Sequence, residues 1–201
     1  HDKKCGGGYL SQTVAMAGTI FLFLFWPSFN AALSPAISQQ RVVVNTALSI
    51  SASVIGACAC ARLMHSVLDM EVVLNATLAG GVIIGAASDV VVKPGVAIVI
   101  GGIGGMISAA GFVLLSSKLR EKIGLHDTCG VHNLHGIPGF AGGLIGAVCS
   151  ALGGSNMANK AAINLIFKKV AAGDRTFREQ AGFQLASLFT AVGIAVLSGA
   201  F

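Results

Sequence analysis

The sequence predicts an all-α polytopic membrane protein, on three observations. Hydrophobic residues make up 54% of the chain and charged residues only 10%, against roughly 25% charged in soluble domains, and mean hydropathy is +0.81. Six apolar stretches approach the ~20 residues needed to span a bilayer. Glycine is abundant at 27 residues while aromatics are scarce at 6%, which suits helices packed closely through small side chains.

The first span, 11–34, contains Phe21-Leu22-Phe23-Leu24-Phe25-Trp26-Pro27-Ser28-Phe29-Asn30. Pro27 frees a backbone carbonyl and bends the helix, which can aim Phe29 and Asn30 inward. The competing readings are an interfacial anchor for Trp26 and lipid-facing filler for Phe29. A second span covers 42–64. The third, 71–92, carries Asn75-Ala76-Thr77-Leu78-Ala79-Gly80-Gly81. Asn75 and Thr77 match a glycosylation sequon, but an acceptor inside a span cannot be modified, so interhelical hydrogen bonding is expected of them. The fourth span is 95–116, the fifth 131–152 and the sixth 181–201.

Connections are short except 153–180, a polar loop bearing Lys160, Lys168, Lys169, Asp174, Arg175, Arg178 and Glu179, with a short surface helix expected over Ala161 to Val170. Small residues recur at helical spacing at Gly81 and Gly85, Gly101 and Gly105, and Gly139, Gly143 and Gly146, which predicts dense packing. No internal repeat is evident.

If the spans alternate sides, one face receives Lys3, Lys4, Arg62, Lys118, Arg120 and Lys122, and the other Arg41 and Lys93 from its short loops. The short loops make the first face cytoplasmic; the long loop brings the two totals close together. The net charge of +5 is spread in short clusters without aromatic interleaving, so it reads as topology rather than nucleic-acid binding. Cys5, Cys58, Cys60, Cys129 and Cys149 lie mostly in or beside apolar spans and read as packing residues. With His1 first and Phe201 ending an apolar run, the chain reads as a piece truncated at both ends.

The densest polar segment touching a span is Asp127-Thr128-Cys129-Gly130-Val131-His132-Asn133-Leu134-His135-Gly136. Asp127 fits an N-cap, its carboxylate meeting free amides at the positive end of the helix dipole; a direct transport role is the competing reading. His132, nearer the polar loop, reads as a surface or capping histidine. His135 lies in a stretch with almost no other polar atom, so it either lines a conduction path or is a satisfied packing residue. Cys129, His132 and His135 have a C-x2-H-x2-H spacing, but on a helix such positions drift by roughly 120° around the axis and no fourth ligand is at hand. No metal or other cofactor is expected.

Together, Phe25-Trp26-Pro27-Ser28-Phe29-Asn30, Asn75-Ala76-Thr77-Leu78-Ala79-Gly80-Gly81 and Asp127 to Gly139 resemble the Rh branch of the ammonium transporter and Rhesus glycoprotein superfamily, in order and spacing over nearly the whole chain. The resemblance implies a homotrimer whose subunits have 11 or 12 membrane helices in two inverted halves, each with its own pore. Residues 1–201 would then be a partial channel domain, the second half plus part of the first half's last helix. By the same resemblance His135 is one of two facing pore histidines and Phe29 one of two stacked phenylalanines at the outer pore mouth, their partners lying upstream of residue 1. Asp127, His132, Asn75, Trp26 and Asn30 are expected to be pore-associated or structural. Four residues after Phe29, where the Amt branch has an ammonium-recruiting serine, this chain has Leu33, which favours the Rh-like reading.

The implied function is a plasma-membrane channel for ammonia or ammonium, with carbon dioxide as a further candidate, and not an enzyme. Carrying ammonium whole through a dry pore costs many kcal/mol of dehydration, so passage of neutral ammonia is the economical route. Two rivals stand beside it. A non-conducting Rh-type membrane scaffold is normally marked by loss of a pore histidine, and His135 argues against it. A metal- or proton-coupled transporter needs intramembrane acidic partners, and none lies well inside a span.

Overall fold

The computed structural model describes residues 8–64, 70–153, 158 and 160–199. Lys3, Lys4 and Cys5, the last two residues of the expected sixth span and part of the long loop lie outside them. The described chain is helical: α1 (Tyr9–Ala32), α2 (Ala36–Leu63), α3 (Met70–Ile84), α4 (Pro94–Ala110), α5 (Ser116–Ile123), α6 (Ile137–Ala151), α7 (Lys160–Ile166), α8 (Lys168–Ala171) and α9 (Phe177–Gly199). A π-helical turn, Gly111–Leu115, joins α4 to α5, and a second, His132–Gly136, leads into α6. Five helical runs, Tyr9–Ala32, Ala36–Leu63, Pro94–Ile123, His132–Ala151 and Phe177–Gly199, are long and apolar enough to cross a membrane, and Met70–Ile84 is a shorter apolar helix.

Two expectations need correction here. The fourth span does not stop near 116 but continues as helix to Ile123, so Lys118, Arg120 and Lys122 ride on its last turns until Gly124, at φ 68°, closes it in the left-handed conformation. The third does not run helical to 92. After Ile84 the chain folds into successive tight turns, Gly85 N–H to Val82 O, Ala87 N–H to Ile84 O and Val90 N–H to Ala87 O. The apolar composition persists, and Ala87, Val90 and Val91 are buried. What allows the helix to unwind there is an outside donor: the Asn45 amide of α2 gives hydrogen bonds of 2.9 Å to both Ser88 O and Val91 O. Buried carbonyls released from a helix must find such partners.

Lipid offers no hydrophobic drive for helix association, so packing and interhelical hydrogen bonds must hold the bundle. Both are concentrated on α2. A Cβ at Gly101 would strike the Ser49 carbonyl, one at Gly105 the Ser53 carbonyl, and one at Gly56 the Gly102 carbonyl, so α2 and α4 touch backbone to backbone. On its other side α2 sends Ser49 Oγ to Gly80 O at 2.7 Å and Ser53 Oγ to Ala76 O of α3. Asn45, Ser49 and Ser53 recur every four residues, which on a helix makes one stripe. Asn75 and Thr77 do not bridge helices as expected: their side chains donate to Glu71 O and Val73 O within α3.

α3 is the centre of the bundle, enclosed by α1, α2, α4 and α6. Gly142 of α6 lies where a Cβ would be 2.7 Å from Ile83 O, and Gly104 of α4 where it would be 2.7 Å from the Ile83 side chain. Gly143 faces Leu188 of α9 instead, and Gly139 meets only Val82 at 3.7 Å, so Gly142 and Gly146 are the tight contacts of α6 on the α3 side. The segment expected as a surface helix over Ala161 to Val170 is α7 and α8, and it is not on the surface throughout. Ala162 and Ile163 are buried, Ile163 packs with Ile83, Ile84 and Val91, and Ala158 forms a β-bridge with Val91. Ala161 to Phe167 are apolar apart from Asn164, and the lysines around them obscure this in sequence.

Replacing Gly105 by Leu should therefore cost about 3 kcal/mol or more, at or above the usual overpacking range because the obstructing atoms are backbone. Gly95→Ala, where nothing lies within 4 Å of the new Cβ, should be nearly silent; thermal unfolding in detergent distinguishes the two.

Candidate conduction site

The residues singled out in the sequence fall on two ends of one face, built from α1, α3 and the start of α6. Trp26 comes from the last third of α1, beside the buried Pro27. Its indole lies against the backbone of Gly81, where a Cβ would come within 2.6 Å of Nε1, so only glycine at 81 lets α1 and α3 enclose the ring. The indole also meets His135, with ring centroids 5.9 Å apart and planes tilted by 56°.

Asn30, one turn beyond Trp26, fastens this arrangement. Its amide donates to Gly81 O at 3.1 Å and Thr46 Oγ1 at 3.2 Å. Because Gly85 N–H turns back to Val82 O, the Gly81 carbonyl would otherwise be one of the orphan acceptors at the end of α3. Asn30 thus caps α3 from α1 while aligning Trp26. Phe29, three positions after Trp26, is 55% exposed, while Leu33 at the end of α1 is almost wholly exposed.

At the other end, Asp127 receives the start of the helix leading to α6. Its Oδ1 accepts Val131 N–H at 2.9 Å and its Oδ2 accepts His132 N–H at 2.8 Å. These are amides that the helix leaves unpaired, and the negative charge favours the positive end of its dipole. Cys129 lies in the turn before this helix, exposed, rather than on it with His132 and His135. The spacing that resembled a metal motif therefore does not lie on one continuous helix.

His132 and Asp127 line a cavity of about 320 Å³ with Glu71, Arg120, His126 and Asn133. Asn75 lines a second, of about 310 Å³, with Thr19, Glu71, Thr128 and Cys129. His135 is one turn into the helix, exposed on the face that Trp26 shares, and not in either cavity. The structure thus joins Trp26, Gly81, Asn30 and His135 into one group, and leaves Phe29, Asn75 and the Asp127–His132 pair outside it.

Several participants escaped the sequence reading. Gly81, noted there only for packing, is the floor under the indole. Thr46 and the Asn45-Ser49-Ser53 stripe were unremarked, although polar residues at every fourth position of an apolar span are a legible signal for interhelical bonding. Asn133 is 1% exposed, a buried polar side chain in the polar string, and nothing in composition distinguishes it from its neighbours.

Comparison with known proteins agrees with this architecture. The sequence profile of the Ammonium Transporter Family matches residues 2–201. The chain is 40% identical over 195 residues to the human (Homo sapiens) ammonium transporter Rh type C, covering 95% of this chain and 41% of that protein. It is 48% identical over 147 residues to ammonium transporter Rh type A of Bos taurus, covering 72% of this chain and 34% of that one. Among solved structures it is similar to Nitrosomonas europaea Rh50, described with the mechanism of conduction by the Rhesus protein family of channels, at 33% identity and a TM-score of 0.70 over 91% of this chain and 43% of that one. The chain spans about two-fifths of the length of the Rh type C proteins it matches. An all-α bundle with a Trp–Gly–His contact, matched from residue 2 to residue 201, places this multi-pass membrane chain in the ammonium transporter family.

Proposed function

We propose that these residues form one wall of a membrane channel that passes neutral ammonia, with His135 lining the path. The observation that carries this reading is the pairing of His135 with the Trp26 indole on an exposed face of the bundle, 5.9 Å apart, in a chain of this family. An imidazole offers one donor and one acceptor nitrogen, which suits a small molecule that both donates and accepts hydrogen bonds. Ammonia fits those two nitrogens without carrying charge into an apolar lumen. Sodium and potassium would lose hydration there that one imidazole and glycine-rich walls do not replace.

Phe29, exposed toward the end of α1, is assigned to the mouth of the path, and Leu33 leaves that mouth without a hydroxyl to hold ammonium tightly. Deprotonation then precedes entry. The facing histidine and phenylalanine come from parts of the channel outside residues 1–201, and this chain is assigned as the second of two inverted halves. The exposed apolar faces of α1 and α9, including Phe21, Leu24, Phe189, Ile194 and Val196, suit lipid and neighbouring subunits of a trimer in the plasma membrane. Carbon dioxide, also small and uncharged, is the second candidate for the same route.

Stopped-flow flux of both gases into proteoliposomes holding the whole channel tests this. His135→Leu should lower ammonia flux by about tenfold or more, the loss of roughly one charge-free hydrogen-bonding step on the path. Ammonia flux equal to wild type would remove His135 from the pore, and no flux above empty liposomes in the wild type would favour the scaffold reading. Gly81→Val should push the indole off α3 and reduce flux through the same channel even though residue 81 touches no substrate, whereas Gly95→Val should not.

A further inference from the structure

The conduction reading leaves Asn133 unused, yet it is the most enclosed polar side chain near His135. Its amide donates to Ser116 Oγ at 2.7 Å. Its Oδ1 is buried with no hydrogen-bond partner among the described residues and lies against Gly111, where a Cβ would come within 2.5 Å of it. Gly111 and Ser116 bracket one π-helical turn, and Asn133 and His135 both belong to the other. In each turn the hydrogen bond reaches back five residues, Ser116 N–H to Gly111 O and Ile137 N–H to His132 O. Such turns interrupt the α-helical register and are frequent at functional sites. A third contact reinforces the pairing: a Cβ at Gly130 would strike the Phe112 ring, and Gly130 has φ 69°.

We propose that Asn133 is a positioning residue for conduction: wedged between the two π turns, it sets the rotation of the helix that presents His135 to Trp26. This rests on the reading of His135 as a pore residue. Two residues along a helix is about half a turn, so Asn133 and His135 leave the same turn on opposite sides. The burial agrees, Asn133 being enclosed against Gly111 and Ser116 while His135 is exposed beside Trp26. A rotation of this turn that released Asn133 from its notch would swing the imidazole around the opposite side.

The test uses the whole channel in proteoliposomes, with ¹⁵N-labelled histidine to follow the imidazole nitrogens, the His135 signals being identified by their loss in His135→Leu. Ser116→Ala removes the hydroxyl that Asn133 grips, and Ser116→Thr keeps it. Ser116→Ala and Asn133→Ala should each lower ammonia flux about tenfold, roughly the effect of one buried hydrogen bond on the population of the competent geometry. Both should also shift the His135 signals, and Ser116→Thr should restore flux and signals toward wild type. Should Asn133→Ala fail to fold, the Ser116 pair decides. The proposal is overturned if Ser116→Ala leaves flux and the His135 signals as in wild type, or if flux falls equally in the alanine and threonine variants with those signals unmoved. If His135→Leu leaves flux unchanged, it is the pore reading that fails; if that variant loses flux while Ser116→Ala does not, only the positioning role of Asn133 fails.

Discussion

The close approach of α2 to α3 and α4 is the constraint on which the rest of the structure depends. Helices in lipid gain nothing from hiding apolar surface against one another, so contact must come from dispersion between well-fitted backbones and from hydrogen bonds that lipid cannot offer. Gly101, Gly105 and Gly56 remove the side chains that would hold α2 and α4 apart, and Ser49 and Ser53 send hydroxyls across to carbonyls of α3. Serine on one helix and glycine on the next are complementary here. The serine needs the neighbouring carbonyl near, and the glycine makes that distance reachable.

This packing reaches the candidate site through α3. The helix ends at Ile84 because its last carbonyls and those of the turns beyond find donors elsewhere: Asn30 from α1 takes Gly81 O, and Asn45 from α2 takes Ser88 O and Val91 O. Two asparagines on different helices therefore specify where α3 stops. Asn30 then does a second task, since the carbonyl it binds belongs to the glycine that floors the Trp26 indole. The geometry around His135 is thus tied to the same small-residue packing that assembles the bundle, with the Asn133 wedge acting from behind.

Much of the fold was legible from residues alone. Six apolar stretches match the five long helices and the short α3 to within a few residues at most ends, because hydropathy over a bilayer's width leaves few alternatives to a helix. The misreadings share one cause, which is that composition reports polarity but not direction. The competing reading of Trp26 as an interfacial anchor came from residue type alone, and composition gave no hint that Gly81 opens a place for the indole against α3. Asn75 and Thr77 were taken to bridge helices, and instead bond carbonyls of their own helix, while Ser49 and Ser53 do the bridging. The α7 segment looked like a surface helix because its flanks are basic, although Ile163 is fully buried.

The sequence by itself determined the class of molecule, the approximate spans and the string from Asp127 to Gly136 as the place where polarity enters an apolar helix. Those follow from hydropathy, glycine content and residue spacing, which are properties of the chain read one segment at a time. Only the tertiary structure decided that His135 meets Trp26 rather than Phe29, that α3 ends early, and that Asn133 is buried between two π turns. Each of these depends on a partner between 17 and 109 positions away, from Ser116 for Asn133 to Trp26 for His135. Local pattern carries no record of such partners, because which face of a helix is enclosed is settled by the neighbours that can approach it.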